Sequence, residues 1–259
     1  MTGFGFASLG SGSRGNATLI CTASTRLLVD CGFAARELLA RCAQIGFDPG
    51  TLDAVLVTHE HGDHVRGVGP VARRLDLAVW MTAGTWRGAK CGKLEKLHLF
   101  GSHDQPFRIG DILIEPVPVP HDAREPTQFI FHWRDRRIGL LTDLGSLTPH
   151  VCAAYDGVDA LLLECNHDLQ MLRAGPYPPA LQARVGGRYG HLNNLQAAEL
   201  LSRIDCSGIS HLVAAHLSEK NNAPELARDA LLGAVSGLSE RLTLLSQDRI
   251  SPWFALPPD

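Results

Sequence analysis

The sequence predicts an α/β fold with two β-sheets inside and helices outside. Strand-like segments come first along the chain, and strands alternate with helical segments in its second half. This order fits a two-sheet interior better than a single parallel sheet. The chain has 259 residues, which suits one large domain or two small ones. We expect a single domain over residues 1–259.

The first third of the chain alternates between short apolar runs and turn residues. A glycine- and serine-rich loop is predicted at residues 10–16. Apolar residues at helical spacing predict a helix over residues 33–45, with Gly46 as its stop. Asp63 is expected to cap a helix over about residues 65–75. Strands are predicted at residues 4–9, 18–21, 26–30, 52–57 and 78–81.

The rest of the chain continues the alternation. Strands are predicted at residues 112–119, 128–133, 138–142, 160–164, 211–215, 242–245 and 253–255. Helices are predicted at residues 149–155, 194–204 and 223–235. Residues 166–192 are the least regular part and include the stretch Gly-Pro-Tyr-Pro-Pro. Their length predicts a lid or a segment that faces the substrate.

Composition narrows the class of protein. The net charge is −3 with neutral histidines, so nothing global marks a nucleic-acid binder. The seven cysteines include no CxxC pair, which favours reduced thiols. The start of the chain does not have the pattern of a signal peptide, and no apolar run is long enough to span a membrane. We therefore expect a cytoplasmic protein without a membrane partner.

The most informative motif directly follows the strand predicted before it and places His59, His61, Asp63 and His64 within six positions. Neutral imidazoles and carboxylates are ligands that zinc and manganese accept. His59 and His61 are two residues apart, so in an extended segment they point the same way. Asp63 and His64 follow the turn at Gly62 and can face a second ion. Two such ions lie about 3.5–4 Å apart when they share a hydroxide.

Three later segments offer further ligands. His121, Asp143 and His216 each stand at the end of an apolar run that is predicted to be a strand. Ligands at several strand ends can converge on one edge of a sandwich. This recurrence points to a metal centre more strongly than any single histidine does.

These residues resemble the metallo-β-lactamase superfamily, whose HxHxDH signature stands here at residues 59–64. The resemblance implies a four-layer αββα sandwich. It also implies a hydroxide and Asp143 as bridges between two metal ions, with Asp30 as a buried structural aspartate near them. The remaining ligands would be His59, His61 and His121 for one ion, and Asp63, His64 and His216 for the other.

A narrower resemblance covers nearly the whole chain. The segments SLGSGSRGN, ECNHD, GHLNN and HLSEKNN, which begin at residues 8, 164, 190 and 216, are similar to those of YycJ/VicX-type proteins. That family is associated with 5′-to-3′ exonuclease action on DNA. The resemblance therefore implies that DNA is the substrate of this chain.

The implied chemistry assigns roles to further residues. Metal lowers the pKa of bound water to about 7, which makes hydroxide available for attack on phosphorus. The leaving oxygen needs a proton, and His167 and His191 are the candidate donors or phosphate clamps. Asp63 is a candidate to accept or relay a proton. The metal ions could be zinc, manganese or iron, because His and Asp ligands suit all three.

Two segments of the sequence each allow two interpretations. The loop at residues 10–16 is either a backbone nest for phosphate or a simple turn, and we favour the turn. Arg87, Lys90, Lys93 and Lys96 either follow a nucleic-acid backbone or form a solvated helix face, and we favour the latter.

Two rival functions also remain. The first is a small-molecule hydrolase on the same fold, acting on a cyclic phosphodiester, thioester or lactone, which the near-neutral charge favours. The second is a non-catalytic metal-binding regulatory protein, against which the full ligand set argues. The sequence leaves the choice of DNA or RNA, the polarity of cleavage and the oligomeric state undecided.

Overall fold

A computed structural model describes residues 3–257 as two β-sheets with helices on their outer faces. The strands are β1 (Gly5–Gly10), β2 (Ala17–Cys21), β3 (Arg26–Val29), β4 (Ala54–Leu56), β5 (Ala78–Thr82), β6 (Leu97–Phe100), β7 (Phe107–Ile109), β8 (Ile112–Pro118), β9 (Thr127–Trp133), β10 (Arg136–Leu141), β11 (Ala160–Glu164), β12 (His211–Ala215), β13 (Leu242–Leu244) and β14 (Phe254–Ala255). The helices are α1 (Ala35–Gln44), α2 (Gly62–Val65), α3 (Val68–Leu75), α4 (Ala83–Gly88), α5 (Pro149–Tyr155), α6 (Leu169–Ala174), α7 (Pro179–Val185), α8 (Asn194–Arg203) and α9 (Pro224–Ala234).

Each sheet has seven strands and changes from antiparallel to parallel pairing along its width. The first sheet has the order β14-β1-β2-β3-β4-β5-β6, and its strands pair in parallel from β3 onward. The second has the order β13-β12-β11-β10-β9-β8-β7 and is parallel from β10 to β13. Parallel strands bring their carboxyl ends to one edge, where loops can carry a site.

Three apolar clusters fill the spaces between four layers. One joins the two sheets, one joins the first sheet to α1 and α3, and one joins the second sheet to α5, α8 and α9. Neighbouring strand residues serve different clusters: Leu161 and Leu163 pack under the helices, while Leu162 faces the other sheet. This alternation follows from the two-residue period of a strand that is buried on both faces. The predicted αββα order is therefore confirmed.

The prediction that Asp63 caps a helix over residues 65–75 is wrong. The chain forms the short helix α2 and then the separate helix α3, and Asp63 lies inside α2. His61 holds the N-cap position and makes no side-chain cap hydrogen bond. The Asp63 carboxylate lies instead 3.5 Å from His64 Nε2. Asp63 is thus turned toward the candidate site.

Several elements were not predicted from the sequence. The short strands β6 and β7 and the helices α4, α6 and α7 are absent from the sequence-based assignment. Helices α6 and α7 lie in residues 166–192, so that segment is more regular than expected. No helix in residues 3–257 is long and apolar enough to cross a membrane.

Candidate metal centre

The candidate ligands meet at one edge of the sandwich because the strands that carry them run in the same direction. His59 follows β4, His121 follows β8, Asp143 follows β10 and His216 follows β12 directly. Strand β8 is antiparallel to β9, which is antiparallel to β10, so β8 and β10 point the same way. The structure therefore brings the dispersed histidines and carboxylates of the sequence to a single place.

One group consists of three histidines. His59, His61 and His121 each offer a ring nitrogen, and these atoms lie within 4.8 Å of one another. His121 Nε2 is 3.2 Å from His61 Nδ1. His59 is fully buried, yet its Nε2 has no hydrogen-bond partner among the described residues. A buried ring nitrogen without a partner is costly, and a bound cation would satisfy it.

A second group combines a carboxylate with two histidines. Asp63, His64 and His216 also offer ligand atoms within 4.8 Å of one another. The Asp143 carboxylate lies beside this group, 3.2 Å from His64 Nε2 and 3.1 Å from His216 Nδ1. Asp143, His59 and His64 likewise offer ligand atoms that lie within 4.8 Å of one another. Its position next to both groups is the one that a bridging carboxylate requires.

The charges of the centre are strongly coupled. Burial lowers the pKa of His59, so this side chain is a neutral imidazole, the form that binds metal. Burial alone would raise the pKa of Asp143, but His216 and His64 outweigh that effect and hold the pKa well below its usual range. Asp143 is therefore an ionised carboxylate, the form in which a carboxylate binds a cation.

Asp30 supports the first sheet's side of the centre. One Asp30 oxygen is 2.8 Å from His64 Nδ1 and accepts the Thr58 hydroxyl at 2.8 Å. The other accepts the Thr58 backbone N–H at 2.8 Å. A carboxylate on the second ring nitrogen fixes the orientation of a metal-binding histidine. The implied structural role of Asp30 agrees with these contacts.

Glu164 holds histidines in the same way on the second sheet, a role that was not predicted from the sequence. Its Oε1 lies 2.8 Å from His191 Nδ1 and 3.0 Å from His216 Nδ1. Its Oε2 accepts the backbone N–H groups of Leu144 and Leu192 at 3.1 and 3.0 Å. Glu164 is fully buried at the end of an apolar strand. A carboxylate in that position is the sequence signal that could have identified it.

Three residues of the centre have left-handed backbone conformations. Asp30, Asp143 and His216 have φ values of 59°, 54° and 54°. Non-glycine residues rarely adopt this conformation, and each instance costs roughly 1–3 kcal/mol. The strain lies at the points where strands end and side chains turn into the site.

The two proposed proton donors occupy different positions. His191 lines the cavity beside the centre. His167 is fully buried, does not line that cavity, and burial lowers its pKa to about 4. A neutral and inaccessible imidazole is a poor acid and a poor phosphate clamp at neutral pH. The position of His167 therefore argues against its predicted role.

A cavity of about 350 Å³ opens over the centre. Its lining includes His61, Asp63, Asp143, His191 and His216 from the predicted set. Further lining residues are Ser13, Gly62, Asp122, Asn166, Tyr177, Leu181, Arg184, Val185, Gly190 and Ser218. The centre is therefore open to a ligand on this side.

The structure distinguishes between the interpretations of the loop at residues 10–16 and of the basic run after residue 86. In the loop at residues 10–16, the N–H of Gly12 bonds to Asn16 Oδ1 and that of Arg14 to Gln247 Oε1. These donors are occupied, which fits a turn better than a phosphate nest. The basic run after residue 86 does not line the cavity, and Lys93 and Lys96 form ion pairs with acidic side chains. Lys90, Lys93 and Lys96 lie outside the helices, so the helix-face interpretation is wrong for them.

The comparison with protein families agrees with this geometry. A family model described as "Beta-lactamase superfamily domain" matches residues 25–217. The chain belongs to this superfamily. The fold of the superfamily implies a site for divalent metal ions. Three buried atoms that make no hydrogen bond within residues 3–257 fit such ions: His59 Nε2, Asp143 Oδ2 and His216 Nε2.

Curated relatives span most of the chain. The exodeoxyribonuclease YycJ of Bacillus anthracis is 36% identical over 236 residues, which cover 87% of each protein. The exodeoxyribonuclease WalJ of Streptococcus pneumoniae strain D39 is 34% identical over 240 residues, covering 90% of this chain and 89% of WalJ. The predicted resemblance to YycJ-type members of the superfamily is confirmed.

Solved structures support the fold. The metallo-β-lactamase fold protein YhfI from Bacillus subtilis matches with a TM-score of 0.74 at 18% identity and covers 96% of this chain and 98% of that one. At this identity the likeness concerns the fold alone.

Proposed function

We propose that this protein is a metal-dependent nuclease that removes nucleotides from DNA in the 5′-to-3′ direction. The observation that carries the proposal is the convergence of two ligand groups and Asp143 under an open cavity. The kinship with YycJ and WalJ, both named exodeoxyribonucleases, points to DNA as the substrate.

The first ion would be held by His59, His61 and His121, and the second by Asp63, His64 and His216, with Asp143 between them. Zinc, manganese and iron all suit these ligands. Bound there, such ions supply a water of lowered pKa and offset negative charge on a phosphoryl oxygen.

The side chains around the ions have separate tasks. Asp63 lies 3.6 Å from His216 Nε2 and lines the cavity, so we assign it proton acceptance as well as metal binding. His191 is held through Nδ1 by Glu164, which leaves Nε2 available to donate a proton to the leaving oxygen. Of the two histidines considered from the sequence, only His191 lines the cavity.

The decisive experiment offers the metal-loaded protein 5′-labelled and 3′-labelled DNA, single-stranded and double-stranded, beside a small phosphodiester. We expect single nucleotides to appear first from the 5′ end. Asp63→Ala should abolish this activity, whereas Asp135→Ala, in an exposed turn, should retain it.

Other outcomes would favour the rival functions. Cleavage of the small diester without cleavage of DNA would make the protein a small-molecule hydrolase. No hydrolysis with any of the three metals, despite two bound ions per chain, would make it a metal-binding regulatory protein.

A further inference from the structure

We propose that residues 169–190, here called the strand wall, bind the end of the DNA strand and receive one unpaired terminal nucleotide. The inference rests on the proposed function and deepens it, because it names the part of the substrate that enters the cavity. Four lines of observation support it.

The first line is composition. The strand wall contains Arg173, Arg184 and Arg188 and no aspartate or glutamate, although the whole chain has a net charge of −3. It also contains Tyr177 and Tyr189, which are two of the three tyrosines of the chain. Basic groups combined with aromatic rings form the usual surface for single-stranded nucleic acid. The global charge hides this local preference.

The second line is position. The strand wall contributes to the lining of the cavity over the metal centre, together with His61, Asp63 and His216. A substrate that fills this cavity therefore contacts the wall. Its contributions to the cavity lining are Tyr177, Leu181, Arg184, Val185 and Gly190.

The third line is the setting of Arg184. Its Nε donates to Asp122 Oδ2 at 2.5 Å, and Asp122 Oδ1 lies 3.7 Å from His61 Nε2 and 3.6 Å from His121 Nε2. A single carboxylate thus separates the guanidinium from the first ligand group. Within residues 3–257 the two terminal amino groups of Arg184 have no hydrogen-bond partner. They form a fork that matches two oxygens of a phosphate.

The fourth line is the placement of the aromatic rings. Tyr177 lines the cavity, and the ammonium of Lys220 lies 5.9 Å from its ring centroid. Tyr189 is 61% exposed and sits next to the cavity residue Gly190. An aromatic ring can stack on any base, so these tyrosines suit an enzyme that degrades DNA of any sequence. We assign Tyr177 to the terminal base and Tyr189 to the next one.

The size of the cavity limits what enters. At about 350 Å³ it lies near the lower end of the roughly 300–1,000 Å³ range of ligand pockets. That space is sufficient for one nucleotide. The terminal nucleotide enters unpaired, and the phosphate held by Arg184 is adjacent to the one that is cleaved.

The test compares DNA with a small diester. Arg184→Gln, Tyr177→Ala and Tyr189→Ala are assayed on a single-stranded oligodeoxynucleotide and on methyl p-nitrophenyl phosphate, which is too small to contact the whole wall. We expect kcat/KM for DNA to fall by about 10-fold or more in each variant, because base stacking on the tyrosines and the phosphate contact of Arg184 both contribute strongly to binding. Hydrolysis of the small diester should fall by a smaller factor than cleavage of DNA does in each variant. Arg36→Gln, on the exposed face of α1, serves as the control.

A binding measurement separates this inference from the proposed nuclease function. Fluorescence anisotropy of the same oligonucleotide with metal-free protein should show weaker binding for the three variants than for the Arg36→Gln control. Wild-type protein that binds DNA through the wall but does not cleave it would remove the proposed function and leave the inference standing. Unchanged DNA cleavage and binding in all three variants, or equal losses on both substrates, would overturn the inference.

Discussion

The metal centre and the strand wall face the same cavity but are built in opposite ways. At the centre, each dispersed side chain leaves a strand end, and several are held from behind, as His64 is by Asp30 and His216 by Glu164. In the wall, α6 has one buried residue, Leu172, and α7 has none. By contrast, all five residues of β11 are buried.

This difference fits the roles that we propose for the two regions. Metal ions need ligands fixed to within a fraction of an ångström, and strand ends backed by buried carboxylates provide that. A flexible polymer needs accessible charges and rings, and these must stay at the surface. A segment with few buried apolar contacts also opens at little cost in free energy, which suits repeated entry of a strand end.

The largest effect is expected from Asp143→Asn. The substitution removes the charge of the carboxylate that lies beside both ligand groups, so activity on DNA and on the small diester should fall by at least about 10³-fold. Steady-state kinetics with each metal measure this. Asp135→Asn is the matched control. Activity within tenfold of wild type would show that Asp143 does not serve both ions.

Glu164→Gln should have the next largest effect. Loss of a carboxylate that holds metal-binding histidines costs about 10–100-fold in metal affinity or activity. Calorimetric titration of the metal-free protein measures the affinity. Glu115→Gln is the control, since Glu115 also bonds to a histidine, His132, at 2.8 Å but lies away from the cavity. Equal metal affinity in both variants would remove the supporting role of Glu164.

The salt dependence of DNA affinity tests whether the strand wall contacts phosphate. Each phosphate contact adds about one to the slope of log affinity against log salt. Arg184→Gln should therefore lower that slope for DNA by about 1, measured as binding between low and moderate salt. Cleavage of the small diester should show the same salt response in both proteins. A slope equal to that of wild type would mean that Arg184 does not contact phosphate.

His167→Leu should have the smallest effect on catalysis and a measurable effect on stability. The folded pKa of about 4 lies below the usual 6.5, so the unfolded chain binds the proton first as pH falls. The contribution of neutral His167 to the free energy of unfolding is present above pH 6.5 and is lost as the pH falls toward 4.

Urea unfolding of metal-free protein at pH 7 and pH 5 measures this contribution. When the pH falls from 7 to 5, the free energy of unfolding should drop by about 2 kcal/mol more in wild type than in the His167→Leu variant. His103→Gln, at an exposed position, should behave as wild type does. A pH dependence in the Leu variant as steep as that of wild type would show that His167 is charged in the folded protein.

Features that depend on a local pattern of residues could be predicted from the sequence. The strand before residue 58 and the candidate ligands at 59–64 are contiguous, so a few backbone angles bring these side chains together. His121, Asp143 and His216 could be added because each ends an apolar run, and the parallel strands bring them together. For the same reason, the four-layer order was predictable from strands that are buried on both faces.

Features that depend on distant partners were not predictable. Glu164 has its role only because His191 and His216 reach it from 27 and 52 residues away along the chain. Asp63 looked like a helix cap, yet its neighbours in space direct it to the metal centre. Helices α6 and α7 are short and flanked by glycine and proline, so their period is too brief to detect. The positive charge of the strand wall is not apparent from the net charge of the whole chain, which is −3.

The left-handed backbone at Asp30, Asp143 and His216 has a consequence for engineering. Glycine adopts this conformation without strain, so Asp143→Gly would relieve backbone strain and end catalysis in one step. A design that aims only to relieve backbone strain would choose these three positions and produce inactive proteins. A library meant to stabilise the enzyme should keep all three codons fixed and vary the outer helices instead.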